Sequence, residues 1–138
     1  MVTQAQLIGR YRAAQAKDLY RRGLKVQTRA RILLSGSGAG HPKRVDTGHL
    51  RSSIQVQLRQ YGAGKAAVRI GTNVKYARWV HDGTGLYGPR HRLIRPKKAK
   101  VLRFSGRRYG RTGYIYARHV KGMRGNAFLE DALIAAKD

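Results

Sequence analysis

From Gly83 to Leu129 the chain has no Asp or Glu, yet it carries thirteen Lys and Arg. The whole protein has a formal net charge of +24 over 138 residues. Charge this one-sided repels itself and opposes compaction. The fold must therefore leave this segment where something outside the chain tolerates or needs it. Nucleic acid, an anionic membrane and acidic protein neighbours are the three classes of partner that would.

Disorder is the competing outcome, because high net charge with low hydrophobicity favours it. The hydrophobic fraction is 41%, close to the globular average of about 45–50%. Eight Tyr, one Trp and two Phe, together with clear apolar periodicity, argue for a fold. The length suits a single domain spanning 1–138. With no Cys, disulfides and thiolate metal sites are excluded. No apolar run reaches the ~20 residues that span a bilayer, and the N-terminus lacks a signal-peptide core. No membrane role is expected, and the protein is expected to be made in a cytoplasm.

Residues 3–34 read as one long helix, with Thr3 as N-cap. Ile8, Tyr11, Gln15, Leu19, Arg22, Val26, Arg29 and Leu33 form a narrow stripe at helical spacing. Such a stripe suits a helix lying across a sheet or a neighbouring subunit. Gly23 weakens its middle by about 1 kcal/mol relative to Ala. Residues 35–44 are a Gly/Ser-rich loop. They are not a phosphate loop, since no strand precedes them and no Gly-Lys-Ser/Thr follows. Within 45–84, Ser53–Arg59 alternates with Ile54, Val56 and Leu58 on one face, Gly62–Gly64 turns, and Ala66–Gly71 returns as the second strand of a hairpin. Tyr76–His81 reads as a short helix or turn. The basic segment 85–113 contains a strand at Val101–Phe104. Residues 114–138 give a strand at Tyr114–Ala117 and a helix over Ala127–Ala136, with Asn126 as N-cap and Glu130 and Asp131 in its first turn. Phe128, Leu129 and Leu133 are expected on its apolar face. The order predicts an α+β fold. Its parts are an antiparallel sheet of about four strands, a long N-terminal helix, a short middle helix, a C-terminal helix, and a long basic loop and hairpin.

Catalytic chemistry finds little support. Of the six acidic residues, only Glu130 and Asp131 are adjacent, and helix neighbours do not face each other. None of the five His sits at metal-ligand spacing. Asp46, His49 and Ser52 or Ser53 are the right types for nucleophilic catalysis, but no Gly-x-Ser-x-Gly elbow is present. The expectation is a protein that is not an enzyme and uses no cofactor or metal. The interleaving of Tyr87, Phe104, Tyr109 and Tyr114 with basic residues suits phosphate contact or base stacking, whereas no base-reading module appears.

Three segments carry a family likeness: Val45-Asp46-Thr47-Gly48-His49-Leu50-Arg51-Ser52-Ser53-Ile54, Ile70 to Thr84, and Gly125 to Leu133. In this order they resemble the neck or tail-completion proteins of long-tailed double-stranded DNA phages. The stretch Ile94–Phe104 is similar to a segment of actinobacterial phages. The residues that carry the resemblance are Asp46, Thr47, Gly48, Leu50, Ile54, Gly71, Thr72, Asn73, Tyr76, Ala77, Val80, Gly83, Thr84, Phe128 and Leu129. Each has a folding role in turns, strand ends or core, so the likeness bears on fold and assembly. The chain departs from the family in charge: where members commonly show Val-Glu-x-Gly-Thr, it has Val80-His81-Asp82-Gly83-Thr84.

The resemblance implies a virion protein at the head–tail junction, assembled in the host cytoplasm. It would form a ring of six copies, with twelve as the alternative. Its partners would be itself, the head-closure or adaptor ring and the tail terminator, around a channel for genomic DNA. Arg90, Arg92, Arg95, Lys97, Lys98, Lys100, Arg103, Arg107, Arg108 and Arg111 are the candidates for contact with DNA or an acidic neighbour. A tail terminator capping the tail tube is the alternative reading. A non-specific nucleic-acid-binding protein outside any virion is the third.

Overall fold

The computed structural model describes residues 1–38, 40–44 and 47–137, with Ala63 and Arg108 described by backbone alone. Asp46 lies outside the described residues. The chain forms two compact units, one of residues 1–77 with 126–138 and one of residues 78–125.

The first unit is organised by α1, Gln4–Leu34, a helix of 31 residues. Thr3 caps it as expected. Its Oγ1 accepts from Gln6 N, while Gln6 Oε1 accepts from Thr3 N, so two orphan amide donors are satisfied reciprocally. The helix is continuous through Gly23, which is buried against the hairpin formed by β1, Gln55–Gln60, and β2, Ala66–Gly71. The strands pair antiparallel from Gln55 opposite Gly71 to Gln60 opposite Ala66. Val56 and Leu58 turn inward and the glutamines outward, as the alternation predicts.

The packed face of α1 differs from the expected stripe. Ala16, Gly23, Val26, Ala30, Leu33 and Leu34 are buried, whereas Ile8, Tyr11, Gln15, Arg22 and Arg29 are exposed. Small residues line the contact because they let the hairpin approach the helix axis. A periodicity weighted towards large apolar side chains overlooks them.

A short helix α2, His49–Ser52, precedes β1, with Gly48 at φ +81° before it. Leu50 and Ile54 join the core, together with Phe128 and Ala132 of α4, Phe128–Ile134. Two C-terminal expectations are corrected. Leu133 is 51% exposed, and the apolar face of α4 is completed by Ala132 instead. The N-cap is Ala127, with no side-chain cap bond. Asn126 is buried and points back to α1: its Nδ2 donates to Leu33 O (3.2 Å) and Pro42 O (3.1 Å). Its Oδ1 is thereby left to accept from His41 Nδ1 at 2.6 Å. Asn126 thus spends its side chain on groups far along the chain instead of on the first turn of α4.

The second unit contains most of α3, Ala77–Asp82, and a hairpin of β3, Leu102–Ser105, and β4, Tyr114–Ala117. The expected sheet of about four strands is not formed. Among the described residues β1 pairs with β2 and β3 with β4, giving two two-stranded antiparallel sheets. Alternation specifies which face a strand buries but not its lateral neighbour. Each hairpin closes through a short local loop at low entropic cost, whereas residues 72–101 build structure of their own between the two.

Candidate functional site

A hydrogen-bond relay joins the first two family-like segments. Val74 N donates to Thr72 Oγ1 (3.1 Å), Thr72 Oγ1 donates to Ser53 Oγ (2.6 Å), and Ser53 Oγ donates to Leu50 O (2.8 Å). The Ser53 proton goes to Leu50 O, so the Thr72 hydroxyl is the donor between them. The relay locks α2 to the turn after β2, and α1 reinforces it. Gln27 Nε2 (2.6 Å) and Arg31 Nη2 (3.0 Å) both donate to Ile54 O. Thr47 Oγ1 accepts from His49 N at 3.4 Å. Ala77 and Val80 are buried, while Asn73, Tyr76 and Trp79 are exposed, Trp79 by 60%.

This geometry also disposes of the serine candidates. Ser52 Oγ donates to His49 O at 2.9 Å, and Ser53 is committed to the relay. Each hydroxyl proton is held by a backbone carbonyl and is not presented to a base. Among the described residues no group of three or more His or carboxylates gathers to hold a metal. No described helix is long and apolar enough to cross a membrane.

Gly83 and Thr84 begin a second construction. The segment 83–88 runs against 121–125 at backbone contact. Thr84 N donates to Met123 O (2.8 Å) and Leu86 N to Lys121 O (2.8 Å), and Met123 N donates to Thr84 Oγ1 (2.9 Å). Gly85 at φ +65° and Gly122 at φ +90° face each other so closely that a Cβ on either would overlap the opposite backbone. Gly83, Gly88 and Gly125 lie in the same crowded seam. This clasp closes the base of residues 84–123 as a lobe, and the Ile94–Val120 bridge continues it. Its glycines are visible in the sequence, but their partnership joins two distant segments, which periodicity does not report.

The lobe holds the ten candidate basic residues. Arg90, Arg92, Arg95, Lys97, Lys98, Lys100, Arg103, Arg107 and Arg111 are all exposed, and the side chain of Arg108 lies outside the described set. Within the β3–β4 hairpin, Leu102, Phe104, Ile115 and Ala117 are half-buried on one face. Arg103, Ser105, Tyr114 and Tyr116 are exposed on the other. The Arg103 guanidinium stands 4.5 Å from the Tyr114 ring centroid, a cation–π contact that holds the charge in place.

The acid nearest the lobe in sequence is Asp82, at the end of α3. His81 Nδ1 donates to its Oδ1 at 2.9 Å, and Arg78 Nε lies 3.5 Å from its Oδ2. The His81 hydrogen bond is the main cause that holds this carboxyl below its usual range; burial opposes it, and the charge of His81 with the hydrogen bond and charge of Arg78 add to the lowering.

One further surface is unaccounted for by intramolecular packing. Residues 4–15 of α1 are all exposed, including Leu7 (56%), Ile8 and Tyr11 (65%).

Residues 13–83 match the family described as "Bacteriophage HK97-gp10, putative tail-component". The matched span covers most of α1, then α2, β1, β2 and α3, and ends at Gly83, where the clasp begins. It includes the first of the three family-like segments and the second up to Gly83, while the basic lobe and α4 lie beyond it. No curated protein and no solved structure matches the chain significantly.

Proposed function

The chain belongs to the HK97-gp10-like family of phage tail components, and on that premise we propose that it is a structural protein of the head–tail junction, assembling as a ring around the DNA channel. The observation that carries this reading is the bare N-terminal end of α1. Over residues 4–15 every residue is exposed, Leu7, Ile8 and Tyr11 among them, and Arg12 alone is seen against the hairpin, at the Gly64 turn. Helices in proteins draw most of their stability from packing of an apolar face, and this end of α1 leaves such side chains in water. A neighbouring copy supplies the cover. The contact is heterologous, helix against a different patch of the next subunit, which is the geometry that closes rings. Both hairpins also keep an unpaired strand edge on each side, offering further sites for strand addition.

In this reading the ring has six copies and lies between the head-closure proteins and the tail terminator. Family membership favours a virion component over a free nucleic-acid-binding protein. The test is a phage carrying Leu7→Glu and Tyr11→Glu together. Both side chains are exposed, so the subunit folds, and its circular dichroism stays that of the wild type. Filled heads and finished tails should accumulate unjoined. Normal virion yield would contradict the ring contact, and tubes of uncontrolled length would favour the tail terminator.

A further inference from the structure

We propose that the clasped lobe, residues 84–123, binds the phosphate backbone of duplex DNA through the outer face of β3–β4, without reading sequence. The lobe contains twelve Lys and Arg and no Asp or Glu, so no carboxylate within it balances any of its cations. The clasp fixes both ends of the segment, so this charge is presented on a folded surface and not spread along a loose tail.

The outer face of the hairpin supplies the right donors. Arg103 and Ser105 come from β3, and Tyr114 and Tyr116 from β4, with Tyr116 directly opposite Arg103. Guanidinium, hydroxyl and phenol groups are the side-chain donors that meet phosphate oxygens. The Tyr114 ring orients the Arg103 guanidinium and reduces the rotamer freedom lost on binding. Arg107 and Arg111 are exposed on the loop that connects the two strands.

Two observations favour duplex DNA over other polyanions. The aliphatic residues of this hairpin, Leu102, Ile115 and Ala117, are on its inner face, so the outer face presents guanidinium, hydroxyl and phenol groups, each able to donate to phosphate. Arg103 already occupies one side of the Tyr114 ring, which lowers its use as a stacking platform for unpaired bases. The inference deepens the junction reading but does not need a ring. It is read on purified protein, so its failure leaves the ring standing, and absence of the chain from the junction leaves it standing in turn.

The experiment is fluorescence anisotropy of the full chain with duplexes of unrelated sequence across a salt series. Expected is equal affinity for each sequence, with log K falling linearly in log salt by about 0.9 per phosphate contacted. Arg103→Glu, Arg107→Glu and Arg111→Glu together should weaken binding at least about tenfold. The same charge change at the other hairpin, Arg59→Glu with Lys65→Glu and Arg69→Glu, should weaken it far less. Arg103→Gln alone, which removes the charge without adding a carboxylate that repels phosphate, should make the salt slope shallower by about 1. Unchanged binding in the lobe variants, or an equal loss in the control, overturns the proposal. Tighter binding to a single-stranded oligonucleotide overturns it too. Equal binding to polyglutamate does the same and assigns the surface to an acidic protein.

Discussion

Gly23 of α1 faces Val68 of β2 so closely that a Cβ on the glycine would stand 2.6 Å from the valine Cγ1, and 2.9 Å from Cγ1 of Val56. The residue that weakens the helix by propensity is the one that lets the hairpin seat on it. Gly23→Ala gains about 1 kcal/mol of helix propensity, but it pushes on two β-branched side chains with stiff rotamers. Overpacking of this kind costs about 1–3 kcal/mol. The prediction is a net loss of stability in urea unfolding, and a more stable variant would contradict the close seating.

Asn126 ties the end of α1 to the loop before α2. Asn126→Ala removes three hydrogen bonds at a buried position, those to Leu33 O, Pro42 O and the His41 ring, although Leu33 O keeps Gly36 N and His41 keeps Asp131. Each unsatisfied buried group costs about 1–3 kcal/mol, so the variant should lose roughly 2–4 kcal/mol in denaturant unfolding. Asn126→Asp should be worse, because an acceptor would then face two carbonyl oxygens. A loss typical of an exposed cap, about 1 kcal/mol, would restore the capping role that the sequence suggests.

The clasp makes a local prediction. Gly122→Ala places a methyl group into the backbone of residues 84–85 at a positive φ that Ala avoids. Hydrogen exchange should show the amides of Thr84 and Leu86 losing protection, while those of β1 and β2 keep theirs. Unchanged exchange at Thr84 and Leu86 would mean that the seam does not hold the lobe.

Asp82 sets a pH dependence. Its carboxyl is held below the usual range, first by the His81 hydrogen bond and then by nearby positive charge. A depressed folded-state pKa contributes stability that is present above the unfolded value of about 3.9 and is lost as pH falls through the lower folded value. The contribution is small, because Asp82 is about one-third exposed and water screens it. The stability gap between wild type and Asp82→Asn should therefore be widest above the unfolded value of about 3.9 and should close as pH falls through the lower folded value. A gap that is constant with pH would remove this assignment.

Local chemistry made parts of the fold legible. The Thr3 cap, the alternation of Val56 and Leu58, and the bounds of β2 all depend on neighbours within a few positions. What escaped the sequence depends on partners far along the chain. Asn126 before a helix has the local look of a cap, and only the carbonyls of Leu33 and Pro42 redirect it. Gly85 and Gly122 look like separate loop glycines until the clasp brings them together. The basic residues were legible as charge, but their common exposure, and the face that Arg103 shares with Tyr114 and Tyr116, follow from hairpin register. Two strand pairs that each close locally gave no signal of whether they would join into one sheet.

The central claim is that this chain is the subunit of a ring at the head–tail junction. Cryo-electron microscopy of purified virions tests it most directly, by asking which density fits α1 with the β1–β2 hairpin and α4. The account predicts a closed ring of this unit between head and tail, with residues 4–15 of each subunit covered by the next. Finding the chain only along the tail tube or at its distal end, or finding residues 4–15 uncovered in the assembled particle, would contradict it.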